Sequence, residues 1–93
     1  MSADNYFTVK QDPENGYWYV YHGFMSNLED GFPAVTQFSE EFLSEKDAQA
    51  FYWDMQPEFW SEYGLIEEPD DEELRPLREE YIAKWGDPDE EKF

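Results

Sequence analysis

Ninety-three residues leave room for one domain with one small core, burying about 60–65% of the surface that the unfolded chain exposes. Twenty-four Asp and Glu against six Lys and Arg give a net charge of −18, which excludes a protein that grips nucleic acid or anionic lipid through its own charge. The absence of cysteine excludes a disulfide framework and a thiolate metal site, and no apolar run approaches the ~20 residues of a membrane span.

Charge this dense normally keeps a chain disordered, because too little apolar surface is buried to offset the ordering entropy. Four Trp, seven Tyr and eight Phe predict the reverse. The expectation is a single folded domain over residues 1–86 with a strongly negative skin, followed by an acidic tail at 87–93. The opening Met-Ser-Ala-Asp-Asn has neither a basic segment nor an apolar stretch behind it, so no signal peptide is expected and the location expected is the cytoplasm.

Residues 5–10 alternate, with Phe7 and Val9 pointing one way and Tyr6 and Thr8 the other. Asp12-Pro13-Glu14-Asn15-Gly16 is dense turn chemistry: Pro pre-sets φ, and Asn-Gly accepts positive φ. Residues 17–24 read as a second strand, with Trp18, Val20, His22 and Phe24 on one face and Tyr17, Tyr19 and Tyr21 on the other. Together they predict an antiparallel hairpin, one face packing a core and the other partly covered or used. Residues 26–33 form a polar connection, and 34–38 a third strand.

Ser44 followed by Glu45, Lys46 and Asp47 is a helix-capping signal, with acids favoured in the first turn. From there Ala48, Phe51, Tyr52, Met55 and Phe59 share one helical face. Pro57 falls inside that pattern and is expected to kink or divide the helix at Gln56, with Gly64 as the terminator. Residues 66–73 read as an acidic connector. A second helix is expected from Pro76, acceptable as its first residue, to Trp85. Leu77, Tyr81 and Trp85 form its stripe, Leu74 extends it, and Gly86 stops it. The fold class is therefore α+β: a small antiparallel sheet packed by one long kinked helix and a second C-terminal helix.

Residues 1–6 and the run Ser61-Glu62-Tyr63-Gly64-Leu65 carry a resemblance. They are similar to a group of short proteins, frequent in bacteriophages of actinobacteria, that begin Met-Ser-Ala-Asp-Asn and place a hairpin before a helix ending near Glu-Tyr-Gly. The resemblance covers about two-thirds of the chain and leaves residues 66–93 as an addition. It implies a phage-like origin, hence action in the cytoplasm of an infected host cell, and no particular chemistry.

Catalysis finds little support. His22 is the only histidine and sits on the core face of an aromatic strand, where a structural role is expected. The chain holds no Gly-rich phosphate loop, nucleophile elbow or His-based metal motif. Carboxylate pairs are too abundant at this charge to single out an acid and a base. The acidic runs at 67–73 and 87–91 lack the spaced ligands and closing Glu of a calcium loop. No enzyme activity, cofactor or dedicated metal is expected.

The distribution of acids says more. Residues 1–39 hold five acids and one base, 40–65 seven and one, and 66–93 twelve and four, so negative charge grows along the chain. Asp47, Asp54 and Glu58 fall on one flank of the first helix, and Glu67, Glu68, Asp70 and Asp71 follow in the connector. Trp53 and Trp60 fall on the opposite flank, as peripheral core or as partner anchors. A chain this long should have a radius of gyration of roughly 12 Å and a width of about 30 Å. That length of duplex DNA carries about 18 charges. These observations predict an inhibitor that sets carboxylates where phosphates sit and binds the basic surface of a host nucleic-acid-processing or defence protein, such as a restriction or CRISPR effector. Solubility and salt adaptation are the bland accounts of the same charge. The competing functional reading is a protein-interaction module working through its aromatic surface, with a homodimer on the hairpin as one version.

Overall fold

Both faces of the hairpin are apolar, and both are covered. The computed structural model describes residues 4–59 and 61–86; Trp60 and the acidic tail at 87–93 lie outside the described residues. In chain order the elements are β1 (Asn5–Gln11), β2 (Trp18–Phe24), α1 (Met25–Glu29), β3 (Thr36–Gln37), α2 (Glu45–Met55) and α3 (Asp71–Trp85). The three strands form an antiparallel sheet in the order β1-β2-β3, with Phe7 opposite His22 and Val9 opposite Val20. The turn works as its residues require. Asp12 and Asn15 accept the backbone N–H groups of Glu14 and Tyr17 through their side chains, and Gly16 takes φ +78°.

One face carries Phe7 and Val20, which pack against Ala48, Tyr52 and Met55 of α2. Ser44 caps that helix by accepting the N–H of Asp47. The helix stops at Met55 with Gln56 as its cap, because Pro57 has no N–H and its ring clashes with the carbonyl four residues back. The expected kinked helix is thus divided where Pro57 stands. Gly64 does not end it. At φ +67° that glycine turns the chain so that Gly64 and Ile66 bond both backbone groups of Phe7, and Leu65 runs parallel to β1.

The other face is built on Tyr6, fully buried with Leu28 and Leu74. The Tyr6 ring lies across Gly23, its cross-strand partner. A Cβ there would sit 2.9 Å from the phenol oxygen and 2.8 Å from Val35. Two corrections to the sequence reading concern what covers this face. The connection after β2 is not irregular throughout: α1 forms there, its first amides bonded by the backbone and side chain of Asp4. The last helix begins at Asp71 rather than Pro76. Asp70 accepts the N–H of Glu73 and three acids occupy the first turn, a start strong enough to carry Pro76 inside the helix.

The burial on α3 also differs from the expected stripe. Leu74 is the buried residue, whereas Leu77 and Trp85 are exposed and Tyr81 rests edge-on against Phe32. Contact is made instead by Gly31, whose φ is +84° and whose missing Cβ would stand 2.5 Å from the backbone nitrogen of Arg78.

Two stability tests follow from this packing. Leu74→Ala should cost about 2–4 kcal/mol while Trp85→Ala stays within about 0.5, measured by urea unfolding. Gly31→Ala should destabilise far more than Gly16→Ala. Both glycines have positive φ, but only the first is pressed against another backbone. Equal losses would show that α3 does not depend on that approach.

Candidate partner-binding surface

With Ala48, Tyr52 and Met55 turned inward, the 3.6-residue period directs Asp47, Trp53 and Asp54 to solvent. Asp47 and Asp54 are seven residues apart, about 10 Å along the axis. Glu58 does not continue their row. It stands in the turn after Pro57, its N–H bonded to the Met55 carbonyl, and remains exposed. Trp53 is 61% exposed, its ring edge-on to Tyr52 at 5.0 Å. It is not peripheral core. Its companion Trp60 lies outside the described residues.

The connector acids divide sharply. Glu67 is exposed. Glu68 turns into the fold, with only 8% of its side chain accessible. Its Oε2 accepts the Tyr6 hydroxyl at 2.6 Å and its Oε1 accepts Lys10 Nζ at 3.0 Å. The same ammonium lies 5.2 Å from the centre of the Tyr21 ring. Glu68 is therefore a structural residue rather than part of an exposed row. Asp70 is occupied in capping α3, and Asp71 pairs with Arg78 and, more loosely, with Arg75. The hydrogen bond from Arg78 holds the Asp71 carboxyl below the usual carboxylate range.

Tyr6 and Lys10 were not singled out in the sequence. Their shared face on β1 is legible from alternation; their partner, 62 and 58 residues away, is not. Glu68 and Asp71 take all the ion pairs found among the described residues. Among the described residues no other carboxylate lies within 4.0 Å of a cationic nitrogen. Fields of this kind reach the phenols: Tyr63 is raised above its usual range by Glu62 first, then by burial, Asp4 and Glu29.

A second feature escaped the sequence reading. Beyond the end of α2 a groove of about 440 Å³ opens on the sheet, lined by Phe7, His22, Phe38, Phe59 and Glu58 among others. His22 lies 5.0 Å from Phe7 and 5.2 Å from Phe24 between ring centres, and Phe38 lies 5.1 Å from Phe7 and 5.4 Å from Phe59. The Nε2 atom of His22 is 3.3 Å from the side-chain amide of Asn5. Phe24 and Phe59 remain about half exposed.

Among the described residues no group of three or more His, Asp or Glu is placed to hold a metal ion, and no helix is long and apolar enough to cross a membrane. No protein-family model, curated protein or solved structure matches this chain.

The Tyr6–Glu68 contact has a measurable consequence at alkaline pH. Burial, then the hydrogen bond and the charge of Glu68, raise the Tyr6 phenol well above its usual 10.0. A raised phenol favours the folded state fully below that value, and the benefit is lost as pH climbs above it. Stability should therefore fall above about pH 10, by up to about 1.4 kcal/mol per pH unit for this group. Tyr6→Phe should be less stable at neutral pH and show a shallower alkaline decline. An unchanged slope in urea titrations at increasing pH would remove Tyr6 as the source.

Proposed function

We propose that this protein is a phage-encoded acidic inhibitor of the DNA-mimic type, which binds the basic surface of a host nucleic-acid-processing or defence protein. The observation that carries the reading is the state of its charge. Of the acids in the described residues only Glu68 and Asp71 are ion-paired, and most of the others are exposed, those of α2 and α3 on helices. Carboxylates held by a helix keep fixed spacings, and a Lys- or Arg-lined DNA site that meets them loses its attraction for phosphate. The longest dimension, 41 Å, exceeds the width expected from chain length and dilutes the charge per unit length below that of duplex DNA. The mimicry is then local, on faces such as the outer side of α2, rather than spread along the whole molecule.

The exposed Trp53 favours one alternative, an interaction module that binds through aromatic surface with acidity incidental. Salt separates the two. Exposed charges are screened beyond ~5 Å in half-molar salt, so binding that survives there belongs to the aromatic reading.

Reversing Asp47, Asp54 and Glu58 to Lys should weaken inhibition of a DNA-cleaving target by at least about tenfold, since each exposed pair contributes about 0.5–1 kcal/mol and reversal adds repulsion. The same reversal at Glu72, Glu79 and Glu80 of α3 serves as the control for bulk charge. Equal losses would mean that the target senses total charge. No loss from either set, with a large loss from Trp53→Ala, would replace mimicry by the aromatic reading.

A further inference from the structure

We propose that the groove beyond the end of α2 is the seat of an arginine side chain from the basic partner, gripped between the rings around His22 and paired with Glu58. The inference rests on the acidic-inhibitor reading and names the anchor within it. The groove exists for a local reason. Pro57 ends α2, and the turn after it sets Glu58 and Phe59 at the sheet, with Phe59 edge-on against Phe38. Phe7 forms the floor, buried to 2% exposure, while Phe59 in the wall leaves 48% of its surface in water. A half-exposed ring in the wall of a concave aromatic site is a candidate place of contact.

Charge complementarity selects the occupant. Glu58 stands in the groove wall. At the same end of the sheet the field of Glu62, with Asp4 and Glu29, is strong enough to be felt at the Tyr63 hydroxyl. The ion-paired cations of the described residues sit elsewhere, Lys10 on the opposite, Tyr6-bearing face and Arg75 and Arg78 on α3. A carboxylate set among aromatic walls fits a cation that is willing to leave water. Guanidinium is planar, weakly hydrated, stacks on aromatic faces and donates two parallel bonds to a carboxylate. Lysine offers a compact and strongly hydrated charge that stacks poorly. Arginine is also the residue on which nucleic-acid-binding surfaces rely to hold phosphate and base edges.

The test uses nona-arginine amide and nona-lysine amide as probes against the full chain at physiological salt. Affinity is read by calorimetry, and the site by the ring signals of His22, the only histidine in the chain. The arginine peptide should bind at least about fivefold more tightly than the lysine peptide and shift the His22 signals. Glu58→Gln and Phe59→Leu should each weaken arginine-peptide binding by about threefold or more and reduce that shift. Glu79→Gln removes the same charge as Glu58→Gln but lies on α3, outside the groove, and should change affinity by less than about twofold. A thermal melt of each variant confirms that it is folded; Glu58→Gln, at an exposed position, carries the test alone if Phe59→Leu is not. Equal affinity for both peptides with His22 unmoved would overturn the groove while leaving the acidic reading in place. No binding of either peptide would overturn both.

Discussion

The hydrogen bond from Tyr6 to Glu68 joins the two chemically opposed halves of this chain. The first half supplies most of the aromatic core and the second most of the charge, and a carboxylate drawn inward costs several kcal/mol unless both its oxygens are satisfied. Here one oxygen takes the buried phenol and the other the Lys10 ammonium. The rest of that face follows from where the phenol must be. Tyr6 reaches Glu68 by lying across Gly23, and the space beside its ring is closed by Leu28 of α1 and Leu74 of α3. Two helices and the connector therefore assemble around one side chain. The opposite face, with α2 laid across Phe7 and Val20, is a conventional sheet–helix core that makes no such demand.

That arrangement also decides where the charge goes. The few cations that form ion pairs are used at Glu68 and Asp71, the two carboxylates that tie the connector and α3 into place. What remains outside is uncompensated and repels itself, which opposes compaction. The offset comes from burying large side chains on both faces of a small sheet. Tyr6, Phe7, Val20 and Tyr52 are at most 2% exposed, a high yield for a chain of this size. The same economy of cations that marks the fold leaves the carboxylates of α2 free to act at a distance.

Legibility in the sequence followed the range of each interaction. The hairpin and the start of α2 were readable because alternation, Asp12-to-Gly16 turn chemistry and the Ser44 cap are local. The existence of α1 was not, since its amides are bonded by Asp4 from across the sheet. The two helix-region prolines show how one residue type gives two outcomes. Pro57 ended α2 at the end of a helix with no fresh start behind it. Pro76 was absorbed because the Asp70 cap and the acids of the first turn had already started α3 upstream. The candidate surface divides in the same way. Asp47, Trp53 and Asp54 face outward as helical periodicity dictates. Nothing local separates Glu67 from Glu68, yet one is exposed and the other is held by a tyrosine 62 positions earlier.

Pro57 connects the fold to the surface. By ending α2 early it takes Glu58 out of the carboxylate row and sets it with Phe59 in the wall of the aromatic groove. Charge and aromatic surface, which compete as explanations when the composition is read alone, then meet at one place. They act over different ranges. Unpaired carboxylates attract a basic surface from a distance but discriminate poorly, and salt weakens them. Rings act only on contact, where shape and desolvation discriminate strongly. A protein with only the first property would associate with every cationic surface in a cell. With only the second it would have no means of drawing a nucleic-acid-binding partner away from its polyanion. The pairing of Glu58 with the rings around His22 is the point on this molecule where a single ligand side chain would experience both.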